Sequence, residues 1–294
     1  MKCSSAAFAC TLLLLLVGCQ APAPAAKFIE QADRMHSGAL ASTVVVNTDL
    51  DDYVQQVADR VVAAAKLAAP GRVNVAFIDK VRCHLVSSNT INAFSTGGTH
   101  VYVTTGLFQQ CQNEEELAGA IAHAYAHLID LDLEATKMNP NPGEPLTMVA
   151  WDFVTNRYTL TQERRADALA LSIFAQAGYD PDHFANLFER MESITGGNVA
   201  PDRESLPARA ANLQAAAAAV KRTPHVFPVA DPKTFVSLRD QAAAYHEPTT
   251  LTVPLIFLRA FPNCVLSADT MEQKEAQERL KPVAPPPRAP VEPN

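Results

Sequence analysis

Ala122-His123-Ala124-Tyr125-Ala126-His127 sets two histidines four residues apart inside an apolar, alanine-rich stretch. On an α-helix that spacing puts both imidazoles on one face, one turn apart, where they can reach a single metal ion. Alone, the pair is weak evidence for a metal and fits two ordinary partly buried histidines better. The flanking residues make the stretch helical. Asn113 with Glu116 three residues later is a capping-box-like start, and Glu114, Glu115 and Glu116 complement the positive end of a helix. The pattern predicts a helix over Asn113–Leu131.

The next acidic cluster outward is Glu163-Arg164-Arg165-Ala166-Asp167, on a second predicted helix, Thr155–Ala177, closed by Gly178. Glu163 is placed to give the third, oxygen ligand of a His2Glu zinc site, which leaves one position open. Asp167, one turn on along the same face, is placed to accept the spare N–H of a histidine ligand and fix its tautomer. The plainer alternative pairs Glu163 and Asp167 with Arg164 or Arg165 on a solvated face. Neither arginine shares their face well.

Further out, Val54, Val57, Val61 and Ala65 recur at helical spacing within Asp49–Ala69, and Pro70-Gly71 stops the run. Val73–Asp79 alternates and is β-branched, hence a strand; His100–Thr104 is another, introduced by the Gly97-Gly98 turn. Asp180-Pro181 opens a third helix with Phe184, Leu187, Phe188 and Met191 on one face. Ala208–Val220 is alanine-rich and helical. The class is α+β, mostly helical, with a small β-sheet beside the histidine helix.

The ends of the chain read differently. Lys2 and the apolar run Phe8–Val17 form a secretory signal, too short for the roughly 20 residues of a spanning helix. Leu16-Val17-Gly18-Cys19 resembles a bacterial lipobox, which implies cleavage before Cys19 and a lipid on its sulfur; the alternative is an ordinary signal with an incidental cysteine. Gln20 after it resembles the signal for sorting to the outer membrane. The Pro/Ala spacer Gln20–Ala26 lifts a domain off a surface, and the proline-rich 281–294 is expected to be disordered. The expected division is signal peptide 1–18, anchor and linker 19–48, main domain 49–222, a C-terminal extension 223–280 packing on it, and the tail. The extension includes the short apolar run Leu251–Phe261, broken by Pro254. A formal charge of −7 without a basic stripe excludes a nucleic-acid partner. With Cys3 and Cys10 in the signal and Cys19 as anchor, Cys83, Cys111 and Cys264 remain, and one bridge is possible in an oxidising compartment. The pairing stays open, with Cys83–Cys111 the first choice because they flank the predicted strand.

Together these motifs resemble the HtpX/BepA/LoiP/Oma1 group of zinc metallopeptidases (gluzincin-like), whose helix reads Leu-Ala-His-Glu-x-x-His and whose third ligand lies in Glu-x-x-Ala-Asp. The likeness extends through Asn92-Ala93-Phe94-Ser95-Thr96-Gly97-Gly98-Thr99-His100-Val101-Tyr102-Val103, Thr105-Gly106-Leu107, Glu115–Gly119, Ala177–Pro181, and Arg209 with Asn212-Leu213. It covers roughly Asp49–Leu213 and implies a zincin-like fold. It also implies one Zn2+ on His123, His127 and Glu163, a polypeptide groove beside Asn92, Ala93, Phe94 and Tyr102, and a role in outer-membrane protein quality control.

Two departures stand out. The general-base glutamate is replaced by Ala124, and general acid–base help is worth about 10²–10⁴ in rate. Tyr125, about 100° around the helix, does not take over its geometry. The family's His-Pro pair ahead of the arginine is also missing from Arg203–Pro207, which leaves Arg203 and Arg209 as candidates for oxyanion stabilisation. The expectation is a lipid-anchored, periplasm-facing zinc metallopeptidase relative with impaired catalysis. The rival readings are a non-catalytic adaptor or chaperone that binds unfolded polypeptide, an active enzyme using a substitute base such as Glu144, and a structural lipoprotein that binds neither metal nor peptide.

Overall fold

The computed structural model describes residues 29–30, 32–34, 36–70, 81–130, 158–189, 206–223 and 229–245. The signal and lipobox, the strand expected at Val73–Asp79, Glu144, Arg203, Cys264, Leu251–Phe261 and the tail lie outside them.

Helix α1 (Thr48–Ala68) starts where the Asn47 side chain accepts the Leu50 N–H at 3.2 Å. Its stripe Val54, Val57, Val61 and Ala65 is wholly buried, as the helical period requires of a core-facing side. Three short strands follow: β1 (Arg82–Val86), β2 (Ala93–Ser95) and β3 (His100–Thr104). The order across the sheet is β1-β3-β2, with β1 parallel and β2 antiparallel to β3. The family-like stretch Asn92–Val103 is therefore a hairpin, turned at Gly97 and Gly98, both with positive φ. Gly98 is held by packing as well: a Cβ there would lie 2.6 Å from the Ala32 Cβ.

The sheet has two unlike faces. Cys83, Leu85, Val101 and Val103 join the hydrophobic core, while the intervening His84, His100 and Tyr102 point the other way. The outer edge of β1 is covered by the chain itself, through Val45 N–H to Leu85 O (2.8 Å) and Ser87 N–H to Thr43 O (2.9 Å). Among the described residues no strand pairs with the outer edge of β2.

Helix α2 (Thr105–Gln110) follows β3 directly, with Thr104 as its cap. Gly106 has no room for a side chain, since a Cβ would meet the carbonyls of Asn89 and Thr90 at 2.4 and 2.5 Å. Helix α3 (Glu114–Ile129) starts at Asn113, whose Oδ1 accepts the Glu116 N–H at 3.0 Å. Glu116 returns the contact to the N–H of Gln112, one residue before the usual capping-box partner. Helix α4 (Leu160–Gln176) begins five residues later than the sequence pattern indicates, because Thr159 and Gln162 form a full capping box. The expected third helix opens as a 3-10 turn, Pro181–His183, before residues 186–189 become helical; Phe184, Leu187 and Phe188 are buried there.

Helix α5 (Leu206–Ala217) matches the alanine-rich segment, and α6 (Pro232–Ala242) was not anticipated. Its Phe235 packs edge-on against Phe108 and Tyr53, at ring-centroid distances of 5.6 and 6.3 Å. The bridge preferred on sequence grounds does not form. Cys83 and Cys111 are each buried and are not bridged to one another, and Cys111 donates to Leu107 O at 3.4 Å. The result is a mostly helical α+β fold with a three-stranded sheet.

Candidate metal centre

Helices α3 and α4 pack side by side and bring His123, His127 and Glu163 together, one ligand atom from each within 4.8 Å of the others. The His123 and His127 Nε2 atoms are 3.2 Å apart, and His123 Nε2 lies 3.4 Å from Glu163 Oε2. His127 Nε2 is 3.9 Å from Glu163 Oε1. Zinc at about 2.0–2.2 Å from each donor, held tetrahedrally, sets its ligand atoms about 3.3–3.5 Å apart. Two nitrogens and the Glu163 carboxylate, with one oxygen toward each histidine, lie close to the separations such an ion needs.

The supporting contacts are specific. His123 Nδ1 is 2.9 Å from Asp167 Oδ1, so the nitrogen facing away from the cluster meets a carboxylate. Arg209 donates to Asp167 through Nε (3.0 Å) and Nη2 (2.7 Å), and Nη2 is also 3.1 Å from Glu163 Oε2. Its guanidinium lies over Phe188, 4.8 Å from the ring centroid. His127 stacks on Tyr158 with centroids 3.8 Å apart. Glu163 and Asp167 are only 8 % and 5 % exposed, and Arg165 forms an ion pair with Asp130 at 2.7 Å. The solvated-face alternative therefore does not describe this pair. Arg209 faces the two carboxylates, and its contacts make it a positioning residue for them.

Burial works against charge on Glu163 and Asp167, yet His123 and then Arg209 hold both carboxyls below the usual range, Glu163 down to about 2. Burial also works against a charged His123, but contact with Asp167 and Glu163 pulls its pKa up to about 9. A metal needs the neutral imidazole, so uptake below that pKa releases a proton. Zinc affinity is expected to rise about tenfold per pH unit up to roughly pH 9 and then level off. Competition with a chelator at several pH values checks this, and a flat profile would exclude a protonated His123 in the metal-free site.

Ala124 is 1 % exposed, in the core directly after His123. Phe94 and Tyr102 are buried and stacked on one another (4.9 Å), while Asn92 and Ala93 are half-buried. What β2 offers a ligand is its backbone edge, since the two aromatic rings are inside the protein. The sequence reading missed the stacking of Tyr158 on His127 and the pairing of Arg209 with both carboxylates.

Residues 48–139 match the family model described as Peptidase family M48. The match ends before α4, so Glu163 and Asp167 reach the cluster from beyond it. The chain is 24% identical over 170 residues to a beta-barrel assembly-enhancing protease of Yersinia pestis, covering 48% of this chain and 32% of that protein. It is 24% identical over 160 residues to the mitochondrial metalloendopeptidase OMA1 of Schizosaccharomyces pombe, covering 49% and 44%. For the beta-barrel assembly-enhancing protease of Escherichia coli the identity is 23% over 132 residues, covering 36% and 27%. The chain thus spans less than half the length of these curated relatives. The helical scaffold, the His-x-x-x-His helix and the matching stretch agree in one point: over residues 48–139 the chain is similar to peptidase family M48.

Proposed function

We propose that this chain is a zinc-binding M48 protein of the bacterial envelope, lipid-anchored through Cys19, that binds polypeptide and hydrolyses it poorly. The observation that carries the reading is the convergence of His123, His127 and Glu163 beside Ala124, where a general base is expected. Zinc held there would supply a Lewis acid to polarise a peptide carbonyl. His123 and Glu163 are kept in place by Asp167 and Arg209, but Ala124 offers no group to accept or return a proton. The open edge of β2 supports binding of an extended client by strand addition. The names of the relatives support outer-membrane protein quality control as the setting, with the domain facing the periplasm. The same features support a second reading, a non-catalytic adaptor or chaperone for unfolded polypeptide.

The test is cleavage of an unfolded protein by the purified chain, with His123→Ala as control. No cleavage above the control is the expected result. Cleavage that disappears in His123→Ala would mean that another residue supplies the base and that catalysis is intact. A separate zinc determination is expected to show an ion lost on His127→Ala; equal zinc in both proteins would remove the metal site from the reading.

A further inference from the structure

A second cluster of nitrogen ligands lies on the face of the sheet turned away from the core. His84 on β1 and His100 on β3 project from that face, and His36, in the π-helical turn His36–Leu40, closes over them. One ring nitrogen from each lies within 4.8 Å of the other two. His84 Nε2 and His100 Nδ1 are 2.9 Å apart. The His36 ring is stacked on both, with centroids 4.4 Å from His84 and 4.3 Å from His100.

The tautomers are set from outside the cluster. Asp33 Oδ1 is 3.1 Å from His100 Nε2, so that nitrogen carries the proton and Nδ1 turns a lone pair toward His84. Tyr102 Oη is 3.0 Å from His36 Nδ1. Burial and the neighbouring imidazoles push His84 down to about 3, and burial lowers His36 and His100 as well. Three clustered imidazoles with a carboxylate behind one of them form a donor set that suits zinc, copper or nickel and does not suit calcium or magnesium.

We propose that His36, His84 and His100 form a second transition-metal site, of the zinc type, that fastens the N-terminal segment to the outer face of the sheet. A metal lies in the plane of each imidazole that holds it, so loading turns His36 out of its stack on His100. Because His36 belongs to the segment that follows the spacer after Cys19, the ion sets how firmly the domain is tied to what precedes it. The site shares no residue with the cluster on α3 and α4 and does not depend on it.

The experiment measures zinc per chain, by elemental analysis, in the full-length protein purified in detergent and equilibrated with zinc. Wild type is compared with His36→Phe, which keeps an aromatic ring on the stack but removes a ligand. The expected result is one zinc ion fewer per chain in His36→Phe, with an unchanged circular dichroism spectrum. His127→Ala tests the other cluster separately, so loss of either reading leaves the other standing. If His36→Phe does not fold, His100→Gln serves in its place with the same expectation. Equal zinc in wild type and the folded variant would overturn the proposal and leave the three rings as a neutral aromatic stack.

Discussion

Ala124→Glu is expected to raise cleavage of an unfolded polypeptide by about 10²–10⁴ over the native chain, the usual worth of general acid–base help. The reason is local. His123, His127 and Glu163 already lie at zinc-ligand separations, and Asp167 and Arg209 already hold them. The missing element is a carboxylate one residue after His123. Ala124 is buried, so the control is Ala124→Gln, with nearly the same volume and no base. A gain with glutamate but not glutamine, at equal zinc content, means that the site is intact and disarmed. No gain in a folded, zinc-loaded Ala124→Glu protein would place a second loss elsewhere, first at the absent histidine near Arg203.

The second large effect concerns stability. By sequence Glu114 is one of three acids complementing a helix end, and Glu115 plays a more exposed part, meeting His183 Nδ1 at 2.7 Å. Glu114 itself is 1 % exposed. Its carboxylate accepts from Tyr53 Oη (3.0 Å), Tyr179 Oη (2.9 Å), the Ala230 N–H (2.9 Å) and the Arg60 guanidinium. It thereby joins α1, the turn after α4 and the approach to α6. Burial, followed by the Glu114 charge, pushes both phenols up, so they remain donors throughout the accessible pH range.

Truncating one partner of a buried charged network strands the others, at a cost of about 3–5 kcal/mol. Glu114→Ala is expected to lose that much in urea unfolding. Glu114→Gln keeps the shape and one acceptor oxygen and is expected to lose about 1.5–3 kcal/mol. Wild-type stability in Glu114→Ala would mean that the four contacts do not form together.

Local rules carried much of this architecture. The apolar stripe of α1, the start of α3 at Asn113 and the strand His100–Thr104 follow from residues close in sequence, because helix period, capping and alternation are short-range properties. The same holds for the histidine pair, since four residues is one turn. Boundaries moved where a nearby side chain outbid the pattern, as the Thr159–Gln162 box did at α4 and Pro181 did in opening a 3-10 turn.

The tertiary structure decided what depends on separate elements meeting. Glu163 comes near His123 only because α4 packs along α3. Arg209 joins both carboxylates from a third helix, and Glu114 gathers four partners scattered along the chain. His36, His84 and His100 lie in three unlinked segments, and strand pairing with an overlying turn is what makes them a cluster. Sequence alone determined which groups this protein has for chemistry, including the lack of a carboxylate at Ala124. Packing determined which of those groups share a site, because hydrophobic burial chooses neighbours by shape and covered area, and no local pattern records that choice.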